Sequence, residues 1–134
     1  MVRNSHSIRP YQHVLEPLFA YLLIAERQYD NIELSGSYNI GPDDRDCIST
    51  GNLVNLFCEK WGDGASWINR PVEGPHEANF LKLDCSKFKS HFNWMPKWSV
   101  DIAVEKTIDW YKSYLLHGNI SEIMDKQINE FLSL

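Results

Sequence analysis

The side chains best placed to do chemistry fall in two short stretches. The first holds Arg9, Gln12 and His13 inside Arg9-Pro10-Tyr11-Gln12-His13-Val14, and the second holds Arg70, His76 and Glu77 around a Pro/Gly-bounded segment. A guanidinium carries planar donors that can bridge two phosphate oxygens. On residue type alone, however, Arg9 reads as a surface arginine opening a strand. Gln12 and His13, if they continue that strand, point to opposite faces, so one can reach a ligand while the other packs. A lone histidine beside apolar residues is more often a hydrogen-bonded core member. In the second stretch Glu77 could accept from a hydroxyl or amino group and His76 could donate to a phosphate, because such loops commonly display binding groups. No third ligand is spaced for a metal there. The five tryptophans, Trp61, Trp67, Trp94, Trp98 and Trp110, fall at helix and turn positions and are expected to anchor the core rather than stack on a ligand. Asp43-Asp44-Arg45-Asp46 reads as a solvated loop.

These groups need elements to hold them. The chain has 134 residues, 43% hydrophobic and 13% aromatic, which suits one folded domain over 1–134. Its formal net charge of −5 argues against nucleic acid as the main partner, yet a small phosphorylated ligand needs only one or two cations. Cys47, Cys58 and Cys85 make no CxxC pair or zinc spacing and suggest reduced thiols in a cytoplasmic protein. No apolar run approaches the roughly 20 residues that span a bilayer. Met1–Ile8 is polar and aperiodic, is expected to be loop, and does not resemble a natural beginning of a fold. Apolar residues at Leu18, Leu22 and Ala25, with Phe19 and Leu23 alongside, predict a helix from Pro17 to about Tyr29. Ser49 or Thr50 should cap a helix over Asn52–Trp61, closed by Gly62-Asp63-Gly64. Asp84 should cap Cys85–His91, and Ser99 the longest helix, Val100–Leu116, with Gly118 beyond it. A last amphipathic helix starts near Ser121. Short strands are expected at Ser37–Ile40, Trp67-Ile68 and Phe80–Leu83. The pattern is α/β, helix-rich with a few short strands.

Five segments, in order, carry a resemblance. They are Arg9–Val14, Tyr38-Asn39-Ile40-Gly41, Pro75-His76-Glu77-Ala78, Leu83-Asp84-Cys85-Ser86-Lys87 with Asn93-Trp94 and Pro96, and Glu105-Lys106-Thr107-Ile108-Asp109-Trp110-Tyr111. Each alone is weak. Together, with comparable spacing across nearly the whole chain, they resemble the C-terminal part of extended short-chain dehydrogenase/reductases acting on nucleotide sugars, the NAD-dependent epimerase/dehydratase family. The stretch Arg9–Leu18 and Pro75–Ala78 are particularly similar to its CDP-glucose 4,6-dehydratases. The resemblance implies a substrate-binding part with the Rossmann core mostly absent, and a nucleotide-sugar ligand, CDP-glucose. Arg9 would pair with the diphosphate, and Gln12, His13, His76, Glu77 and Arg70 would be further substrate contacts. Arg70 is displaced here relative to the R-P-G-H loop of other relatives. The family reaction is a lyase reaction with an internal redox cycle. NAD takes the C4 hydride, water leaves across C5 and C6, and the hydride returns to C6, giving a 4-keto-6-deoxy sugar nucleotide of the kind used in deoxysugar and lipopolysaccharide biosynthesis.

That chemistry needs a glycine-rich turn to admit a dinucleotide to a helix N-terminus. Glycines 36, 41, 51, 62, 64, 74 and 118 form no such motif. It also needs a Tyr-x-x-x-Lys pair, and the residues four beyond the six tyrosines are Leu15, Ala25, Glu33, Pro42, Leu115 and Gly118. These 134 residues are therefore expected to bind nucleotide-sugar without catalysis, with no cofactor or metal site of their own and with NAD belonging to the full-length enzyme. A non-catalytic nucleotide-sugar-binding or regulatory module, or part of a sister CDP-sugar epimerase, stays open. Elements that pack on a Rossmann domain in relatives would leave apolar surface here, so a missing N-terminal domain or self-association is the expected partner.

Overall fold

The N-terminal ten residues form the spine on which distant parts of the chain meet. In the computed structural model, which describes residues 1–70 and 78–134, β1 (Ile8–Pro10) pairs antiparallel with β2 (Cys47–Ser49), Arg9 lying opposite Ile48. Five helices surround this pair among the described residues: α1 (Leu15–Asp30), α2 (Thr50–Trp61), α3 (Ser86–Phe92), α4 (Val100–Leu115) and α5 (Ile120–Leu132).

The helix ends follow from local chemistry. Ser49 accepts from the Asn52 N–H at the start of α2 and Ser99 from the Ile102 N–H at the start of α4, each satisfying a donor that the helix cannot. Gly62 closes α2 at a φ of 75°, where a side chain would be strained. Asn119, rather than Ser121, caps α5 through the Glu122 N–H.

The core has two parts. Ala20, Phe88, Phe92 and Trp94 bury together with Tyr38 and Ile40 against them, joining α1 to α3. Val100, Val104 and Ile108 of α4 pack on Leu53, Leu56 and Phe57 of α2. Trp98, 2% exposed, meets Phe131 of α5 edge-on at 5.1 Å and so ties α5 down. Trp94 and Trp98 are the tryptophans most deeply anchored, as their turn positions suggested.

Several expectations are corrected. Ser37–Ile40 forms no strand among the described residues; Tyr38 instead donates to the Leu34 carbonyl and packs on Phe88 and Phe92. The strands expected at Trp67-Ile68 and Phe80–Leu83 shrink to single bridges, Val2 to Asn69 and Ile8 to Phe80. The first stretch is loop up to β1 apart from that Val2 bridge, and Ser5 and Ser7 are buried in it. Of the apolar residues that mark α1, Phe19 and Leu23 pack on the core beside the buried Glu16 and Ala20, whereas Leu22 is 71% exposed.

Candidate functional site

Arg9 is the middle residue of β1, near the end of the spine. Its neighbour Ile8 is held on the side away from β2 by the Ile8 N–H donating to the Asn79 carbonyl at 2.9 Å and the Leu81 N–H donating to the Ile8 carbonyl at 3.1 Å. Further back, the Val2 N–H donates to the Ile68 carbonyl and the Arg70 N–H to the Val2 carbonyl. The chain on both sides of segment 71–77 is thus stitched to the N-terminal spine. His76 and Glu77 lie within that segment, outside the described residues. Arg70 is exposed, and Arg9 is half-buried with Nη1 donating to the Ile8 carbonyl at 2.8 Å.

The strand stops at Pro10, so Gln12 and His13 do not continue it, as expected from sequence, but lie in the turn into α1. There His13, 9% exposed, accepts the Leu15 N–H on Nδ1 at 3.3 Å and packs edge-on against Trp98 at 4.9 Å. Burial, with Lys106 adding to it, pulls the His13 pKa below 6.5. A neutral imidazole accepting on Nδ1 carries its proton on Nε2. Among the described residues Gln12 Oε1 is buried without a partner.

Two apolar clefts flank this turn, both bordered by α4. One, of about 320 Å³, is lined by Tyr11, Gln12, Leu53, Phe57 and Val104. The other, of about 340 Å³, is lined by His13, Val14, Leu15, Lys106 and Trp110, with Met124 and Ile128 of α5 opposite. Three hydroxyls not anticipated from sequence meet at the start of α2. Thr50 Oγ1 lies 2.9 Å from Tyr11 Oη and 3.0 Å from Ser7 Oγ, crosslinking the turn to the start of α2. Nothing in local spacing signals this cluster, because its members are about forty residues apart in sequence.

Two carboxyl groups that looked unremarkable in sequence are deeply buried. Glu16, 0% exposed, accepts the Lys97 and Trp98 N–H groups on Oε1 at 2.8 and 2.7 Å. Asp46, expected in a solvated loop, is 4% exposed and accepts the Val100 N–H at 2.8 Å. Its neighbour Asp43 is also engaged, with Lys89 at 2.5 Å. Both buried carboxyls thus serve the first turn of α4 and the turn before it, where the helix dipole favours negative charge. The three cysteines are free, and burial raises the thiol pKa values of Cys47 and Cys85, the reverse of what a nucleophile needs. Among the described residues no His, Cys, Asp or Glu cluster could hold a metal ion, and no helix is long and apolar enough to cross a membrane.

This helix-rich arrangement around a small two-stranded sheet is that of a C-terminal part of an extended short-chain dehydrogenase/reductase. No family model matches the chain. It is 36% identical over 134 residues to CDP-glucose 4,6-dehydratase of Salmonella typhimurium strain LT2, a match that takes in 99% of this chain. The chain spans 37% of that relative's length.

Proposed function

We propose that this chain is the nucleotide-sugar-binding portion of a CDP-glucose 4,6-dehydratase, with CDP-glucose as the ligand. The observation that carries the reading is the similarity to that dehydratase over 99% of this chain, joined to an N-terminal stretch, Arg9 near its end, that gathers the chain on both sides of segment 71–77. In this reading Arg9 pairs with the diphosphate. Gln12 and His13 border the ligand from the turn, while Arg70, His76 and Glu77 are further contacts from the other stretch.

The full-length enzyme would convert CDP-glucose to CDP-4-keto-6-deoxyglucose and water, for deoxysugar and cell-surface polysaccharide synthesis. NAD would accept and return the hydride. The residues in hand do not suit that cofactor, since the seven glycines give no pyrophosphate-binding turn. Binding and orienting the sugar nucleotide is the part assigned to this chain.

Titration of the amide NMR spectrum with CDP-glucose, using dTDP-glucose and NAD as controls, tests the reading. Shifts confined to Arg9–His13 and to residues flanking 71–77, for CDP-glucose alone, are expected. They should vanish in Arg9→Ala while the rest of the spectrum is unchanged. A response to NAD, or equal responses to both sugar nucleotides, would contradict the assignment.

A further inference from the structure

The buried carboxyl of Glu16 has a use that binding of the sugar does not exhaust. Its side chain leaves the first turn of α1, three residues after His13, and reaches across to the turn between α3 and α4. Both N–H donors there converge on one oxygen, Oε1, while Oε2 is buried and, among the described residues, has no hydrogen-bond partner. An ionised carboxylate with one dry, unpartnered oxygen is costly, whereas the neutral acid keeps Oε1 as acceptor and carries its proton on Oε2.

The charges around it do not reverse this. Lys97 attracts a negative Glu16, but its Nζ donates to the Phe131 carbonyl and lies over the Phe19 and Phe131 rings. Asp43, ahead of β2, repels it and is itself paired with Lys89 of α3. Asp46, a second buried carboxyl, serves Val100 of α4. His13 is held neutral against Trp98, and Lys106 of α4 is paired with Glu130 of α5. Burial is the largest influence on Glu16 and raises its pKa above 4.5; the two N–H bonds and Lys97 pull the other way.

We propose that Glu16 is a proton-dependent positioning residue. With its proton on, it docks the segment Arg9–His13 onto the turn before α4, and loss of the proton loosens that docking. The docked arrangement holds the proton more tightly than one in which Glu16 reaches water, so rising pH must favour the loosened form. Resting on the nucleotide-sugar reading, this makes ligand binding at the segment stronger in mild acid than in mild base.

The test follows the Glu16 side-chain carboxyl ¹³C signal and the amides of Arg9, Gln12, His13, Lys97 and Trp98 from about pH 4.5 to about pH 8.5. CDP-glucose affinity is measured at both ends, in the wild type and in Glu16→Gln. The carboxyl signal and the amides on both sides of the contact are expected to share one midpoint above 4.5. That transition should be absent in Glu16→Gln, where any surviving titration belongs to His13 or another group. Affinity should fall several-fold across that midpoint in the wild type, and this step should be lost in the variant. A carboxyl midpoint at or below 4.5 would overturn the proposal. So would amides of Arg9–His13 that ignore the Glu16 transition, or an affinity step at the Glu16 midpoint that survives in Glu16→Gln. If CDP-glucose binds at neither pH, the nucleotide-sugar reading fails, while the carboxyl and amide titrations still decide the docking.

Discussion

At the residue scale, Glu16 and Asp46 replace water for backbone donors that the protein has taken out of solvent. Asp46 supplies the only carboxyl oxygen recorded at the Val100 N–H among the described residues, and it does so from a loop that β2 fixes directly behind it. Asp46→Ala is therefore expected to cost about 1–2 kcal/mol, the usual worth of a lost helix-terminal acceptor, with Asp46→Asn losing less because the amide oxygen can still accept. Urea unfolding of the three proteins measures it, and equal stability of all three would show that water replaces the carboxyl. Glu16→Ala should cost more, about 2–5 kcal/mol, since two buried N–H groups lose their acceptor at once and a cavity opens.

The two titrating groups next to each other set opposite pH slopes. His13 has a lowered pKa, so the folded protein prefers it neutral, and its contribution is present above 6.5 and lost as pH falls below that value. Glu16 has a raised pKa, so its contribution is present below 4.5 and lost as pH rises through the folded value. His13→Gln, which keeps an acceptor for the Leu15 N–H, should therefore flatten the acid side of the stability profile below about pH 6.5, leaving the loss on the basic side in place. Melting temperatures across pH check it; an unchanged acid limb would mean that His13 is not protonated in the unfolding transition.

At the element scale, α1 has two apolar sides and buries only one. Phe19, Ala20, Leu23 and Ile24 face the α3 core, while Val14, Leu18, Tyr21 and Leu22 remain exposed. Leu22→Lys should leave folding stability within about 0.5 kcal/mol, because it removes no packed contact. Ala20→Leu, at a position with 0% exposure, should cost about 1–3 kcal/mol through overpacking. Both are read by denaturant unfolding, and a large loss in Leu22→Lys would place that side chain in a packed interface after all.

The same helix explains what could be read in advance. Periodicity and caps located the helices, because Ser49, Ser99 and Gly62 act on neighbours three or four residues away. They did not say which side of α1 turns inward, since Leu18 and Phe19 lie on adjacent stripes and are equally apolar. The strand Cys47–Ser49 escaped notice because it is three residues long with one strongly apolar member, behind an acidic run. Tyr38–Gly41 looked like a strand, but a ladder needs a neighbour and none pairs with it among the described residues. Arg9, Gln12 and His13 were legible as a group, whereas Glu16's role depends on partners 81 and 82 residues away, and no local pattern carries such a contact.

At the scale of the whole molecule, the exposed apolar side of α1 does not stand alone. Val14 shares a cleft with Met124 and Ile128 of α5, and Leu132 continues the exposed apolar row of that helix at 57% exposure. Apolar surface spread over two neighbouring helices is more than scattered surface residues contribute, and it favours association whenever a second such surface is near. The 134-residue chain on its own should therefore self-associate at high micromolar concentration. The double variant Leu22→Lys with Ile128→Lys should shift it toward monomer without lowering its unfolding midpoint, since both side chains are exposed. Sedimentation velocity across a concentration series gives the answer. A wild-type chain that stays monomeric throughout would show that this surface is tolerated in water. Association that persists unchanged in the double variant would move the contact elsewhere, with the aromatic face of Trp110, Tyr111 and Tyr114 on α4 the next surface to alter.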